Sequence, residues 1–157
     1  KEGYTKLYLE NGVYPEYLIS WSTPDNVLNL AGQIDLMVKY GNEVTIVDHN
    51  TNKKIDLKGG FNTVTRGTTK MQYPLNTIED CNYGHYEMQL STYAFMLQQR
   101  HPEYVIKDLI LNHYDHNMKN TLYHCIYRKD EVKRMLADYY KKKKQQLKAA
   151  RRKPIVY

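Results

Sequence analysis

Residues 32–40 and 44–49 are rich in β-branched and apolar side chains, and Tyr40-Gly41-Asn42-Glu43 joins them. Two such runs around a tight glycine-containing turn make a β-hairpin. This pair constrains the chain most, because it commits the fold to a sheet before any helix is placed. It has a chemical corollary. Asp35 lies in the first run and Asp48 ends the second, so a hairpin lets the two carboxylates converge near one end of the sheet.

The remaining segments are read around that hairpin. Residues 4–10 alternate and close on Asn11-Gly12, and residues 17–22 read as a strand stopped by Thr23-Pro24-Asp25. Residues 50–75 are polar, contain Gly59-Gly60 and hold no period. They predict a long excursion that is functional or mobile, with room for a short helix. Tyr86, Leu90, Tyr93, Ala94 and Leu97 recur at helical spacing and predict a helix over 84–100. Strands are expected over 105–112 and 121–127, joined by a polar turn at 116–120. His113-Tyr114-Asp115-His116 has metal-like residue types, but its two histidines would diverge at a strand end, and the segment reads as a turn rather than a metal site. A long helix over 129–152 buries Val132, Met135, Leu136 and Tyr139. The order predicts one α/β domain, a mixed sheet with helices packed on it. Its body is residues 1–140, and residues 141–157 are a basic extension of the last helix.

Composition narrows the function classes. The chain has 157 residues, enough for one domain with a real core. Its 16 tyrosines can pack a ring and still present a hydroxyl at a core edge or groove. The net charge of +6 is concentrated: residues 141–153 hold eight positive side chains and no negative one, which leaves −2 for the rest. Such a tail suits nucleic acid or another anionic surface, or serves only as a solvated helix end. Cys81 and Cys125 have no metal-type spacing, and free thiols are the expectation. No apolar run is long enough for a membrane span, and no signal peptide is read.

Hard cations such as Mg²⁺ or Mn²⁺ prefer carboxylate, carbonyl and water oxygens. A bound ion polarises a phosphoryl oxygen and lowers the pKa of its water. Paired strand-end carboxylates therefore suit phosphodiester cleavage, although such aspartates also cap turns. Four stretches sharpen the reading: Pro15-Glu16-Tyr17-Leu18-Ile19-Ser20, Ala31-Gly32-Gln33-Ile34-Asp35, Ile46-Val47-Asp48-His49-Asn50-Thr51-Asn52-Lys53, and Tyr86-Glu87-Met88-Gln89-Leu90-Ser91-Thr92-Tyr93. In order and spacing they resemble the PD-(D/E)XK nuclease superfamily, in its RecB-like and phage-type exonuclease branch. The resemblance implies a restriction-endonuclease-like mixed β-sheet core flanked by helices, with a long C-terminal helix. It implies Asp35 and Asp48 as metal ligands, the His49 carbonyl as a further oxygen ligand, and Glu16 as an aid to the metal or its waters. Gln89 and Tyr93, one turn apart, would face the site. It also implies a cytoplasmic setting, in a bacterium or a phage-infected host.

At the position where that family carries its lysine this chain has Asn50. Residues 48 and 50 of a strand share a face about 6.6 Å apart, so an ammonium there would sit beside the scissile phosphate. Asn donates a hydrogen bond but carries no charge. Loss of such a stabilising group costs about 10²–10³ in rate. Lys53 lies about 10 Å on and on the other face, Lys54 is farther, and Lys39 is about 13 Å from Asp35. Asn50 is thus an engineered change, a natural feature of a domain that binds without cutting, or a loss made good by a displaced lysine. Lys53, Lys54, Arg66, Lys141, Lys142, Lys143 and Lys144 are candidate contacts to a nucleic-acid backbone, DNA or RNA. The competing functions are a metal-dependent DNA exonuclease, a non-catalytic nucleic-acid-binding module, and an interaction domain of a larger protein or complex.

Overall fold

The computed structural model describes residues 9–151. Residues 4–8 of the expected first segment lie outside the described residues, as do Arg152 and Lys153 of the basic tail. Three antiparallel strands come first: β1 (Gly12–Ser22), β2 (Asn29–Tyr40) and β3 (Glu43–Asn50). Asn11-Gly12 is not a closing turn. The Asn11 carboxamide oxygen accepts from the Gly41 amide at 2.7 Å, and β1 begins at Gly12. Gly41 has φ 58°, a left-handed conformation that favours glycine, and it lets β2 turn directly into β3.

The polar excursion carries a two-residue ladder, β4 (Phe61–Asn62) with β5 (Gly67–Thr68), and no helix. Then come α1 (Asn82–Arg100), β6 (Val105–Tyr114), β7 (Asn120–His124) and α2 (Lys129–Arg151). The main sheet has the order β1-β2-β3-β6-β7. Only β3 and β6 pair in parallel, which requires a crossover connection. The excursion and α1 supply it. The protein is therefore a mixed α/β fold with a five-stranded sheet.

The apolar stripe of α1 behaves as its spacing dictates. Leu90, Ala94 and Leu97 are fully buried against Ile34, Met37, Ile46 and Leu109. Met88 and Phe95, on a neighbouring face, pack with Val132 and Leu136 of α2. Tyr139 is half exposed, contrary to its expected burial. Tyr140 instead continues the i, i+4 row from Val132 and Leu136, and its hydroxyl donates to Asp25 Oδ2 at 2.6 Å. Strand β7 stops at His124 rather than Tyr127 because the chain there turns to α1. The Ile126 amide donates to Glu87 Oε1 at 2.9 Å and the Arg128 amide to Ser91 Oγ at 3.0 Å. The buried Glu87 carboxylate is completed by Arg128 Nε at 2.8 Å. At the end of β6, Asp115 caps the expected polar turn by accepting from the Asn117 and Lys119 amides. Cys81 and Cys125 are free thiols. Among the described residues no helix is long and apolar enough to cross a membrane.

The excursion is ordered rather than loose, and one carboxylate organises it. Glu79 accepts from the Gly59 amide at 3.0 Å and the Thr68 hydroxyl at 2.8 Å, and it pairs with Lys70. The Lys70 ammonium, ahead of the Thr68 and Gly59 donors, holds its pKa down to about 2. Two stretches of the excursion, at Gly59 and at 68–70, meet on this one side chain. Glu79→Ala is expected to leave the sheet folded and to open residues 57–70 to protease. Limited proteolysis followed by mass mapping tests this, and a cleavage pattern unchanged from the parent would refute the role given to Glu79.

Candidate functional site

Register decides what the hairpin does with its acids. The β2–β3 ladder pairs Leu36 with Val47, so the next row places Asp35 opposite Asp48. The β1–β2 ladder pairs Pro15 with Leu36 and Tyr17 with Ile34, so the row between them places Glu16 opposite Asp35. Asp35 and Asp48 thus form a facing pair, and Glu16 stands level with them on β1, outside the ladder pairing. Asp35 Oδ2 accepts the His49 amide at 2.8 Å and ties the two strands beyond their last ladder pair.

That row is irregular. Glu16 has φ 52°, a left-handed conformation that costs a non-glycine residue about 1–2 kcal/mol. Burial parity changes there in both strands: Tyr14 gives way to Tyr17 and Ile19 in β1, and Ile34 to Met37 in β2. The expected simple alternation about Asp35 is therefore corrected. Ile34 and Met37 both join the main core, while Leu36 is only half-buried. The Glu16 carboxylate is bound by the Gln33 amide.

Helix α1 covers the far side of Asp48. Gln89 Nε2 lies 3.3 Å from both Asp48 Oδ1 and the Tyr93 hydroxyl and donates toward each. Tyr93 in turn lies over Gly32, where a Cβ would come 2.5 Å from its ring. The expected convergence of Asp48, Gln89 and Tyr93 is present, and Gly32 makes room for it. Asp48 is buried, and its pKa is raised to about 6 by that burial and then by the Asp35 charge, with His49 acting weakly in the other direction.

Asn50 is bonded to partners other than the carboxylates. Its amide donates to the Tyr86 hydroxyl, and its Oδ1 accepts from the Asn52 amide at 2.8 Å. The Asn52 side chain also donates to Tyr86, at 2.8 Å, and the buried His113 bonds the Asn52 carbonyl at 2.6 Å. Tyr86, Asn52, Gln33 and His113 are site neighbours that sequence reasoning missed. Tyr86 stands one turn before Gln89 and is its face-mate, a position that its ring's place in the apolar stripe masks in the sequence.

The candidate lysines do not gather here. Lys54 pairs with Asp56 at 2.5 Å and both are exposed. Lys53 is exposed, and Arg66 stands at the β4–β5 turn with φ 51°. Lys39 is buried with its ammonium over Tyr104. Lys141, Lys142, Lys143 and Lys144 lie on α2. Lys142 pairs with Asp138, and Lys144 with Asp25 in the β1–β2 turn. Ser22, where that turn begins, is six residues from Glu16, about 20 Å along an extended strand. The basic helix therefore flanks the acidic row at a distance.

The donor chemistry at the row is oxygen throughout: two facing carboxylates and nearby backbone carbonyls, a set that fits Mg²⁺ or Mn²⁺. Among the described residues no three His, Cys, Asp or Glu side chains converge as a metal-holding group, so carbonyl and water oxygens would have to complete the shell.

No family model and no curated protein matches this chain. A solved structure described as "Crystal structure of SSO0001" is similar at 14% identity and a TM-score of 0.45, over 82% of this chain and 48% of that one. This chain thus spans about half the length of that protein. So slight a similarity leaves function to be argued from the site itself.

The raised Asp48 pKa carries a sign. A carboxyl with a folded pKa of about 6 and a reference value of 3.8 holds its proton more tightly when folded. Stability is therefore greatest below 3.8 and falls as pH rises through about 6, at a cost of about 1–3 kcal/mol. Asp48→Asn is expected to raise unfolding free energy by that amount at pH 7.5 in chelator, with the gain fading toward pH 4. Urea unfolding at both pH values measures it, and a substitution that destabilises at pH 7.5 would contradict the account.

Proposed function

We propose that this domain is a PD-(D/E)XK-type nuclease: a Mg²⁺- or Mn²⁺-dependent DNA exonuclease whose cutting is held down by Asn50. The observation that carries the reading is the opposition of Asp35 and Asp48 across the β2–β3 ladder, with Gln89 of α1 bonded to Asp48. The mixed sheet with its helix-containing crossover is compatible with a restriction-endonuclease-like core. A buried carboxylate whose ionised form is disfavoured by a second carboxylate is also what a dication would relieve.

In this reading Asp35, Asp48 and the His49 carbonyl hold the ion. Once bound, it supplies Lewis-acid polarisation of a phosphoryl oxygen and a water of lowered pKa. The protein's own groups do the rest. The His49 amide holds Asp35 in place, and Gln89 orients Asp48. The Tyr93 hydroxyl, bonded to Gln89, is assigned to contact the substrate. Glu16 stands on that row to order water. What is missing is a cation beside the phosphate.

A second reading, a non-catalytic nucleic-acid-binding module, is favoured by the Asn50–Tyr86–Asn52 contacts. Asn50 accepts a backbone hydrogen bond there, and lysine has no acceptor with which to do so.

Single-turnover cleavage of DNA in Mg²⁺ or Mn²⁺ separates the two. Asn50→Lys, alone and with Tyr86→Phe to release the side chain, is expected to cut at least about 10²-fold faster than the parent. If the lysine variant binds Mn²⁺ in a manner abolished by Asp35→Ala and still cleaves neither DNA nor RNA, the nuclease reading fails. The binding-module reading then stands only if DNA affinity falls steeply with salt.

A further inference from the structure

A cleft lies away from the acidic row. It holds about 620 Å³ between α2 and the β1–β2 turn. Trp21, Leu28, Phe95 and Leu136 form its apolar walls, and Lys133 and Lys141 stand at its rim. A smaller pocket lined by Val27, Lys144, Leu147 and Lys148 continues along the same helix. Between the two, Tyr140 and Lys144 close on Asp25, with Tyr140 Oη 2.6 Å from Asp25 Oδ2 and Lys144 Nζ 3.4 Å from it.

The sequence explains the arrangement. Lys133, Ala137, Lys141, Lys144 and Lys148 follow one another at spacings of three and four, so they form one stripe on α2. Val132, Leu136 and Tyr140 form the adjacent apolar stripe. The seam between the stripes overhangs Trp21. Among the described residues neither Lys141 nor Lys148 has a carboxylate partner, so the stripe keeps free positive charge beside apolar walls. Trp21 packs edge-on against Phe95, with centroids 5.8 Å apart, and so is held while still lining the cleft.

Apolar aromatic walls under a cationic rim match one ligand chemistry closely: a flat apolar ring system with phosphate at its edge. We infer that the cleft is a base-binding subsite for single-stranded nucleic acid, with the strand's phosphates following Lys141 and Lys148. Stacking on aromatic side chains beside a basic groove is the general mode of sequence-tolerant single-strand binding. The subsite deepens the proposed function and rests on its nucleic-acid part, since it assigns the preferred substrate as single-stranded. Trp21 lies five residues from Glu16 along β1, about 16 Å. A strand held at the cleft can therefore reach the acidic row.

Trp21 is the only tryptophan in the chain, so its emission reports on the cleft directly. The test titrates the whole protein, in chelator, with a single-stranded oligothymidylate and with an abasic oligomer of equal length and charge. The expected result is Trp21 quenching by the oligothymidylate alone, with about tenfold tighter binding than for the abasic strand. Ala137→Phe, which fills the cleft from an exposed helix position, should remove both differences while circular dichroism shows an unchanged fold. Lys141→Glu is the second variant should that one unfold, and it should weaken both strands alike. Equal quenching by the abasic oligomer, binding without any Trp21 response, or a response to an acidic amphipathic peptide in place of the oligonucleotide would each overturn the inference. If Asn50→Lys cuts DNA while Trp21 stays silent, the cleft assignment alone falls. If neither oligomer binds at all, the nucleic-acid reading falls with it.

Discussion

The parallel pairing of β3 with β6 is the constraint on which the other parts depend. Antiparallel neighbours can be joined by a short turn, as β2 and β3 are, but a parallel pair needs its connection to travel back across the sheet. Here that return path is the excursion and α1, and α1 must land on the face that buries Met37, Ile46 and Leu109. Once Leu90, Ala94 and Leu97 are seated there, Tyr86, Gln89 and Tyr93 have no freedom to be elsewhere. They fall along the helix edge that passes the end of β3. The polar constellation is a by-product of the core in this sense: the residues that bury the helix also aim its polar edge.

Much of this was legible in the amino-acid sequence, and the parts that were not share a cause. The hairpin, the excursion and both helices follow from turn chemistry and apolar period. A tight turn pairing Tyr40 with Glu43 carries its arithmetic inward and sets Asp35 against Asp48. Period does not report where it breaks. The parity change at Glu16 and Asp35 requires a left-handed glutamate, and no local residue preference announces one. Tyr86 shows the same limit from another side, since a half-buried tyrosine reads as apolar until its hydroxyl finds two asparagine amides. Tyr139 and Tyr140 are a third case. Adjacent tyrosines on a helix are equally apolar, and Asp25, far away in sequence, selects the second. The order in the excursion depends likewise on Glu79 gathering contacts from residues it does not neighbour.

The electrostatics of the acidic row run against folding. Asp48 is buried in the field of Asp35, and both the burial and that field raise its pKa. A buried carboxylate in the field of a second one breaks a local rule of stability. The contrast with Glu87 is instructive. That carboxylate is more deeply buried, yet Arg128 and a backbone amide satisfy it fully. Two buried acids on facing elements thus have opposite characters, one closed by protein partners and one left with capacity for something else.

The kink at Glu16 has a consequence for how copies of this protein meet. β1 is an outer strand of the sheet, hydrogen-bonded on one side only to β2. A long, straight outer strand offers its free amides and carbonyls to any passing chain, and proteins with such borders tend to stick to one another. Pro15 removes one amide from that border, and the left-handed Glu16 beside it interrupts the straight run. The irregularity beside the acidic row also makes the border a poorer template for a foreign strand.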